Sequence, residues 1–484
     1  MRLYHIVIFF TFIAGQDLFA QQPDRPTDYL SPAFHAGRRE ALRKIMPENS
    51  VTVVWAYPTR NFSNDVDYYY HPGPDLYYFT GYKEPHALLF IFKDTQTAAD
   101  GSRYLDLFFV QKRDAKAEQW TGRRLGAEGV KKQLGLETVF NGDEFREYPL
   151  DFSSFDQLIF DQLPDDVSDS RFNNADLYSL LQQLKQKAAI PENYSRNKRF
   201  NTRSLYRQLT ATLRGVKTEE EIILLRKAVE ISCVGQTEVM KAAHPGMSER
   251  EIQGLHEFVH KKYGAENVGY PSIVGAGNNG CVLHYQENEK LYTGNQLLLM
   301  DVGAEYHGYT ADVTRTIPAN GRFSPEQKAI YQIVYEAQEA AFRLSREGAS
   351  FQELEKAARD VVTNGLLKLG IVSKKEDAAK YYPHGLGHHI GLDVHDRGLY
   401  TNLQKGMVIT IEPGIYIPEN SPCDKKWWSI AVRIEDDILI REKDYELLSA
   451  LAPRKIEDIE KMMARKSALD DFVLPPLQSG KKGF

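Results

Sequence analysis

Apolar positions along the chain follow two periods. In "TEEEIILLRKAVEIS", Ile222, Leu225 and Val229 recur at helical spacing, and Thr218 with Glu221 three residues later forms a capping-box pattern ahead of them. Helical periodicity returns near 325–345 and 351–369, and "AGRREALRKI" shows it early in the chain. Short apolar runs read as strands instead: "SVTVVWAY", "ALLFIFK", "YLDLFFVQK" and "QLIFD" in the first third, then stretches near 296–317, 407–412 and 429–440. This mixture predicts α/β layers. The polar stretch "IPENYSRNKRFNTRS" separates two blocks, so a smaller N-terminal α/β domain is expected over 28–195 and a larger domain over 205–465. "DDFVLPPLQSGKKGF" lacks periodicity, and 466–484 is expected to be a disordered tail.

Composition narrows the classes. The 484 residues carry 60 Lys plus Arg against 66 Asp plus Glu, a formal net charge of −6, with no basic stripe interleaved with aromatics. Nucleic acid is therefore not an expected partner. The first twenty residues place Arg2 before an apolar run from Ile6 to Ala14 and a small residue, Ala20, before "QQPDRP". That pattern reads as a secretory signal peptide over 1–20, and the run is too short to span a bilayer, so an exported protein, periplasmic or extracellular, is expected, with no membrane partner. Three scattered cysteines, Cys233, Cys281 and Cys423, offer no disulfide framework.

Candidate chemistry begins with "HGLGHHIGLDVHD" (384–396), which holds four of the thirteen histidines. His384 and His388 would share a helical face, but Gly385, Gly387 and Gly391 make a helix costly at about 1 kcal/mol each. An extended backbone keeps them on one face, and by itself the stretch fits a metal site or a solvated loop equally. Acids elsewhere weigh in. A hairpin with its turn between Tyr306 and His307 sets Asp301 opposite Asp312, Cβ atoms about 5 Å apart, and a shared cation explains two facing acids in apolar strands. "MVITIEPG" ends a strand in Glu412, and "SIAVRIEDDILI" places Arg433 and Glu435 on one face, where a salt bridge is the other reading for Glu435. Four carboxylates and a hydroxide nearly balance two divalent cations, which favours a dinuclear site, with Mn the expected metal and Zn or Co the alternatives.

Taken together, "SIVGAGNNGCVLHYQENE", "MDVGAEYHGYTADVTRTIP", "PHGLGHHIGLDVHD", "TIEPGIYI" and "RIEDDI" resemble the pita-bread metallopeptidases, specifically the aminopeptidase P group. "DLYYFTGYKEPHALLFI" and "EQWTGRRLG" resemble that family's creatinase-like N-terminal domain. The resemblance implies a metal-dependent aminopeptidase acting on peptides with proline second, through a hydroxide bridging two metals. It implies Asp301, Asp312, His388, Glu412 and Glu435 as metal ligands, Asp312 and Glu435 as the bridging pair, and His284, His384 and His395 lining the substrate site. His395, with His284, would stabilise the oxyanion, His384 would contact the proline side, and Glu412 would shuttle the proton to the departing nitrogen. Tyr416 and Arg433 are expected to line the pocket. Trp120 aligns with an aromatic that closes a neighbouring subunit's site, or is an ordinary core Trp. His389 is expected to be structural, Cys423 a buried structural thiol, and Ala431 stands where relatives usually have Gly. A homo-oligomer, dimer or tetramer, is implied by the resemblance alone. Two alternatives remain: a prolidase restricted to Xaa-Pro dipeptides, and a catalytically dead peptide-binding module.

Overall fold

The computed structural model describes residues 26–165, 167 and 175–470. The expected leader at 1–20 and most of the expected tail lie outside the described residues. Among the described residues, no helix is long and apolar enough to cross a membrane.

The first unit is built on a five-stranded sheet. Its strand order is Val139–Asn141, Arg103–Val110, Leu88–Thr97, Ser50–Trp55 and Gln157–Ile159, antiparallel in the middle and parallel at both edges. Alternation along the strands explains why both faces are covered. Leu88, Phe90, Phe92, Leu107 and Phe109 enter an aromatic core on one face, while Leu89, Ile91, Phe108 and Val110 enter a second core on the other. That second core continues through Tyr77 into Tyr309, Val313 and Leu439, so the two units share buried apolar surface.

The helix Arg203–Gly215, just beyond the polar stretch, packs on the helix Pro32–Ile45 and the strand Gln157–Ile159 of the first unit. Its buried face, Tyr206, Leu209 and Thr210 among others, decides its allegiance. A polar linker only marks where the backbone is exposed.

Beyond it, four helices begin as their sequences dictate, each with a reciprocal capping box: Thr218/Glu221, Ser248/Glu251, Ser324/Gln327 and Ser350/Glu353. They pack on curved sheets that include Ile273–Ala276, Leu297–Val302 and Val313–Pro318, then Val408–Ile411, Asp436–Ile440 and Tyr445–Leu447, then Gly414–Ile417 with Ile430–Arg433. Leu298 and Met300 join the large core with the helices, whereas Leu299 turns the other way, against Ile273, Tyr416 and Ala431. Asp301 shares the parity of Leu299 and so leaves the helix side.

The hairpin after Asp301 corrects one expectation. Tyr306 pairs with Tyr309 and Asp301 with Thr314, so the turn is centred between His307 and Gly308, one residue later than predicted. A two-residue turn of this hand needs positive φ at both central positions, and His307 (51°) and Gly308 (85°) supply it. Asp301 and Asp312 are therefore diagonal rather than opposite. A two-residue slip of partner keeps both on the same face.

The same turn anchors the start of the described chain. His307 Nε2 lies 2.8 Å from Asp28 Oδ1 and Nδ1 2.5 Å from Glu266 Oε1, and the imidazole stacks on Tyr29 with centroids 3.7 Å apart. Burial opposes the charged ring, but bonds to Glu266 and Asp28 outweigh it and raise its pKa, while both carboxyls are held low. Raised in the fold, the imidazole contributes stability fully present below about 6.5 and lost as pH climbs through its folded pKa; the acids contribute above about 4. Replacing His307 by Gln is thus expected to destabilise most between about pH 4.5 and 6.5, with the gap to wild type closing at higher pH. Denaturant unfolding at a series of pH values checks this; a gap that widens above pH 7 contradicts it.

Candidate metal centre

Five side chains meet in one cavity of about 380 Å³. Asp301 ends the strand Leu297–Val302, and Asp312 immediately precedes Val313–Pro318. Glu412 follows Val408–Ile411, in the two-residue break with Pro413 before the strand Gly414–Ile417, and Glu435 sits in the link between Ile430–Arg433 and Asp436–Ile440. His388 arrives on an irregular segment that runs alongside the strand Val408–Ile411. Its N–H donates to Thr410 Oγ1 at 3.1 Å, and Thr410 N–H returns a bond to His388 O at 2.9 Å. Gly387 is required there, because a Cβ would stand 2.0 Å from Thr410 O. As expected, the glycines keep this stretch out of a helix.

Asp312, His388 and Glu435 each offer a ligand atom, all within 4.8 Å of one another. His388 Nε2 is also 3.5 Å from Glu412 Oε1 and 3.6 Å from Asp312 Oδ2. Asp301 joins the group through Tyr270, whose hydroxyl lies 2.6 Å from Asp301 Oδ1 and 2.5 Å from Asp312 Oδ1 and shares its one proton between them.

The acids are crowded. Burial, then repulsion from Asp312, Glu412 and Asp301, pushes Glu435 well above the usual carboxyl range, and Glu412 is pushed up to about 8 mainly by burial. Burial likewise raises Asp301 against the pull of Arg433. Asp312 is the exception: burial would raise it, but the neighbouring His388 imidazole holds it low, and Asp312 with Glu412 in turn lifts His388 to about 9 despite its burial. Glu435 Oε2 accepts from Thr314 Oγ1 at 2.6 Å, while Oε1 is buried with no hydrogen-bond partner. An orphaned carboxylate oxygen among repelling acids is what a cation would satisfy. The residues fit divalent metal.

Around this set stand the other expected residues. His284 and His395 are exposed at the cavity wall, and His395 packs edge-on against His388 with centroids 4.3 Å apart. Burial, with the neighbouring imidazoles, lowers His395 to about 4. His384 lines the wall, is lowered by burial to about 4, and has Nε2 2.8 Å from the Tyr416 hydroxyl. Arg433 also lines it, with Nη2 2.5 Å from Asp301 Oδ2.

Tyr416 departs from expectation. It is 3% exposed and lies behind the wall, where its hydroxyl accepts from Arg433 Nη1 at 2.8 Å. Its ring packs with Ile273, Leu299 and Ala431 in a small core. It supports Arg433 and His384 rather than lining the pocket. Trp120 is not a core residue: it is 86% exposed on the helix Ala115–Thr121, which buries no side chain, and does not line the cavity of its own chain. His389 is fully buried against Phe351 and Tyr400, as expected of a structural residue. Cys423 is only partly buried, at the margin of the large core. Ala431 finds room because Gly280 faces it; a Cβ at Gly280 would stand 3.1 Å from that of Ala431.

Tyr270 escaped the sequence reading. A lone Tyr in "VGYPS" carries no periodic signal. It reaches both aspartates because Gly269 and Gly303 allow a close approach: a Cβ on Gly269 would overlap Thr310, and one on Gly303 would stand 2.9 Å from the Tyr270 ring.

Curved sheets backed by long capped helices, with buried acids gathered on the side away from those helices and a small α/β unit in front, define a two-domain pita-bread metallohydrolase. Residues 223–442 match metallopeptidase family M24, and residues 35–156 match the aminopeptidase P N-terminal domain. The chain is 37% identical over 447 residues to the Xaa-Pro aminopeptidase of Escherichia coli, covering 89% of this chain and 97% of the relative, and 32% identical over 440 residues to that of Haemophilus influenzae, covering 88% and 96%. The structure of E. coli aminopeptidase P with the inhibitor Pro-Leu superposes with a TM-score of 0.78 at 33% identity, covering 90% of this chain and 98% of that one. The chain belongs to metallopeptidase family M24, in its aminopeptidase P group.

Proposed function

We propose that this chain is a metal-dependent Xaa-Pro aminopeptidase, removing a single residue that precedes proline. The observation that carries it is the convergence of Asp301, Asp312, His388, Glu412 and Glu435 in one cavity flanked by neutral imidazoles. Mn is the metal we assign, with Zn or Co as alternatives, because four hard carboxylates outnumber one imidazole. When bound, two such cations supply a Lewis acid and a water acidic enough to attack an amide at neutral pH.

This chain's own groups do the rest. Neutral His395, with His284 beside it at the wall, donates N–H to the oxygen that gains charge as the amide is attacked. Asp301, held by Arg433 and Tyr270, is placed to orient the free amino terminus. Glu412, at the cavity wall beside His388, is placed to pass a proton to the departing proline nitrogen. His384, fixed by Tyr416, contacts the proline side.

Export across a membrane is also proposed, supported by the Arg2, Ile6–Ala14 and Ala20 pattern. A homo-oligomer is also proposed, on the family resemblance alone.

The test is turnover by metal-stripped protein refilled with Mn, on an Xaa-Pro-Yaa tripeptide, an Xaa-Pro dipeptide and an Xaa-Ala-Yaa control. Cleavage of the tripeptide alone or with the dipeptide is expected. Cleavage of the dipeptide only makes the chain a prolidase, and no cleavage with metal bound leaves a peptide-binding module.

A further inference from the structure

The segment that carries His395 has no secondary structure of its own: Gly391 to His395 form neither helix nor strand. Something else must hold that imidazole at the cavity wall. The residues on either side of it, half-exposed Asp393 and buried Asp396, lead into an ionic network that crosses to the first unit. Asp396, 1% exposed at its side chain, accepts Lys217 Nζ on Oδ2 at 2.8 Å and the Arg214 guanidinium on Oδ1. Arg214, 2% exposed, also donates Nη2 to Asp393 Oδ2 at 2.8 Å and Nη1 to Asp75 Oδ1 at 2.7 Å. Asp75 belongs to the helix Pro74–Thr80 of the first unit, where Tyr206 donates to its Oδ2 at 2.9 Å. Gly391 makes room: a Cβ there would stand 2.1 Å from Asp396 Oδ2.

We propose that the N-terminal domain positions His395 for the reaction, through Asp75, Arg214 and Asp396. One planar guanidinium binds an acid of the first domain and the acids two residues before and one residue after His395. A fork with fixed donor directions transmits orientation as well as charge. The inner network is sealed, and moving Arg214 without its acids would strand buried charge, so the segment and the helix Pro74–Thr80 move as one body. Asp75, Arg214 and Asp396 are positioning residues: none lines the cavity. The proposal rests on the aminopeptidase reading for its rate effect, not for its structural one.

Asp75→Asn is the variant of choice, because Asn keeps an acceptor for Tyr206 and leaves the Arg214–Asp396 pair in place. It is expected to lower kcat on an Xaa-Pro tripeptide on the order of ten- to a hundredfold, as an ångström of misplacement does, with KM within about twofold and metal content unchanged. In a His395→Ala background it is expected to cost nothing further, since both changes remove the same contribution. Asp161→Asn, which loses Arg203 and Arg207 and leaves Arg397 its second partner Asp75 while touching neither Arg214 nor Asp396, is expected to leave kcat unchanged. Histidine labelled with ¹³C at Cε1 gives a readout without turnover: the His395 resonance, identified by its loss in His395→Ala, shifts in Asp75→Asn and not in Asp161→Asn. Full kcat in Asp75→Asn, a loss that adds to that of His395→Ala, or an equal loss in Asp161→Asn overturns the proposal. If the wild-type chain cleaves no peptide, the aminopeptidase reading fails and the resonance alone decides: an unmoved His395 signal sinks the positioning role.

Discussion

Glu435→Gln is expected to abolish turnover of an Xaa-Pro tripeptide while making the metal-free protein more stable. Gln keeps the shape and can accept the bond from Thr314 Oγ1, but it brings no charge. With three carboxylates left, two divalent cations are undercompensated, so elemental analysis should find fewer than two per chain. The rate should fall about a thousandfold or more, roughly 4 kcal/mol of transition-state stabilisation. The stability effect has the opposite sign. Without metal, Glu435 is buried among Asp312, Glu412 and Asp301 and its pKa is raised. An acid whose folded pKa is raised binds its proton more tightly in the fold, so its contribution to stability falls as pH rises above the unfolded value of about 4.3. At pH 7 the metal-free wild type bears that penalty and the variant does not; near pH 4 the two should converge. Adding Mn should raise the melting temperature of the wild type far more than that of the variant. A metal-free variant that melts below metal-free wild type at pH 7 would falsify this account of the site.

Arg315→Met is expected to be the most destabilising change outside the centre. The Arg315 side chain is 0% exposed, and it spends its donors on Asp436 Oδ1 at 2.6 Å and on the carbonyls of Thr314, Glu435, Ala452 and Pro453. Met approximates the volume but leaves Asp436 short of a partner and four carbonyls short of donors. Removing one member of a buried pair typically costs about 3–5 kcal/mol, a large share of the stability of an ordinary domain. The urea midpoint should fall accordingly with an unchanged slope. Arg315→Lys should recover only part of the loss, because a point charge cannot serve five acceptors. The exposed pair Lys356–Asp360 is the comparison: Lys356→Ala should leave the midpoint within error. An Arg315→Met protein with a wild-type midpoint would show that these buried bonds contribute nothing net.

Both effects arise where the chain's local signals stop. The strands around the centre were legible because consecutive apolar residues and a strand-ending acid are local facts: Leu297–Met300 before Asp301, Val408–Ile411 before Glu412. Three of the four long helices were legible for the same reason: Thr218 and Glu221 announce Glu219–Ala242 within three residues, and apolar periodicity marks Pro325–Phe342 and Phe351–Lys368, whereas Glu249–Lys262 went unread. The glycines of "HGLGHHIGLDVHD" excluded a helix correctly, because their backbone cost does not depend on what packs nearby.

Other features belong to distance. The hairpin register was read one residue early, since the positive φ at His307 and Gly308, not the symmetry of two acids, sets it. The helix Arg203–Gly215 was not read at all, and its packing on the first unit follows from which core its apolar face enters. Tyr416 was taken for a pocket residue and Trp120 for a possible core residue; one is sealed behind Arg433 and the other stands in water. By itself, then, the sequence determined the elements, the acids at their ends and the histidine-rich segment, all properties of spacing within a few residues. Only the tertiary structure decided that Tyr270 bridges Asp301 and Asp312, that Glu435 keeps an orphaned oxygen, and that Arg214 ties Asp75 to Asp396 across two units. Those facts depend on side chains 31 to 182 positions apart meeting at hydrogen-bond distance, a coincidence that packing creates and that local periodicity does not encode.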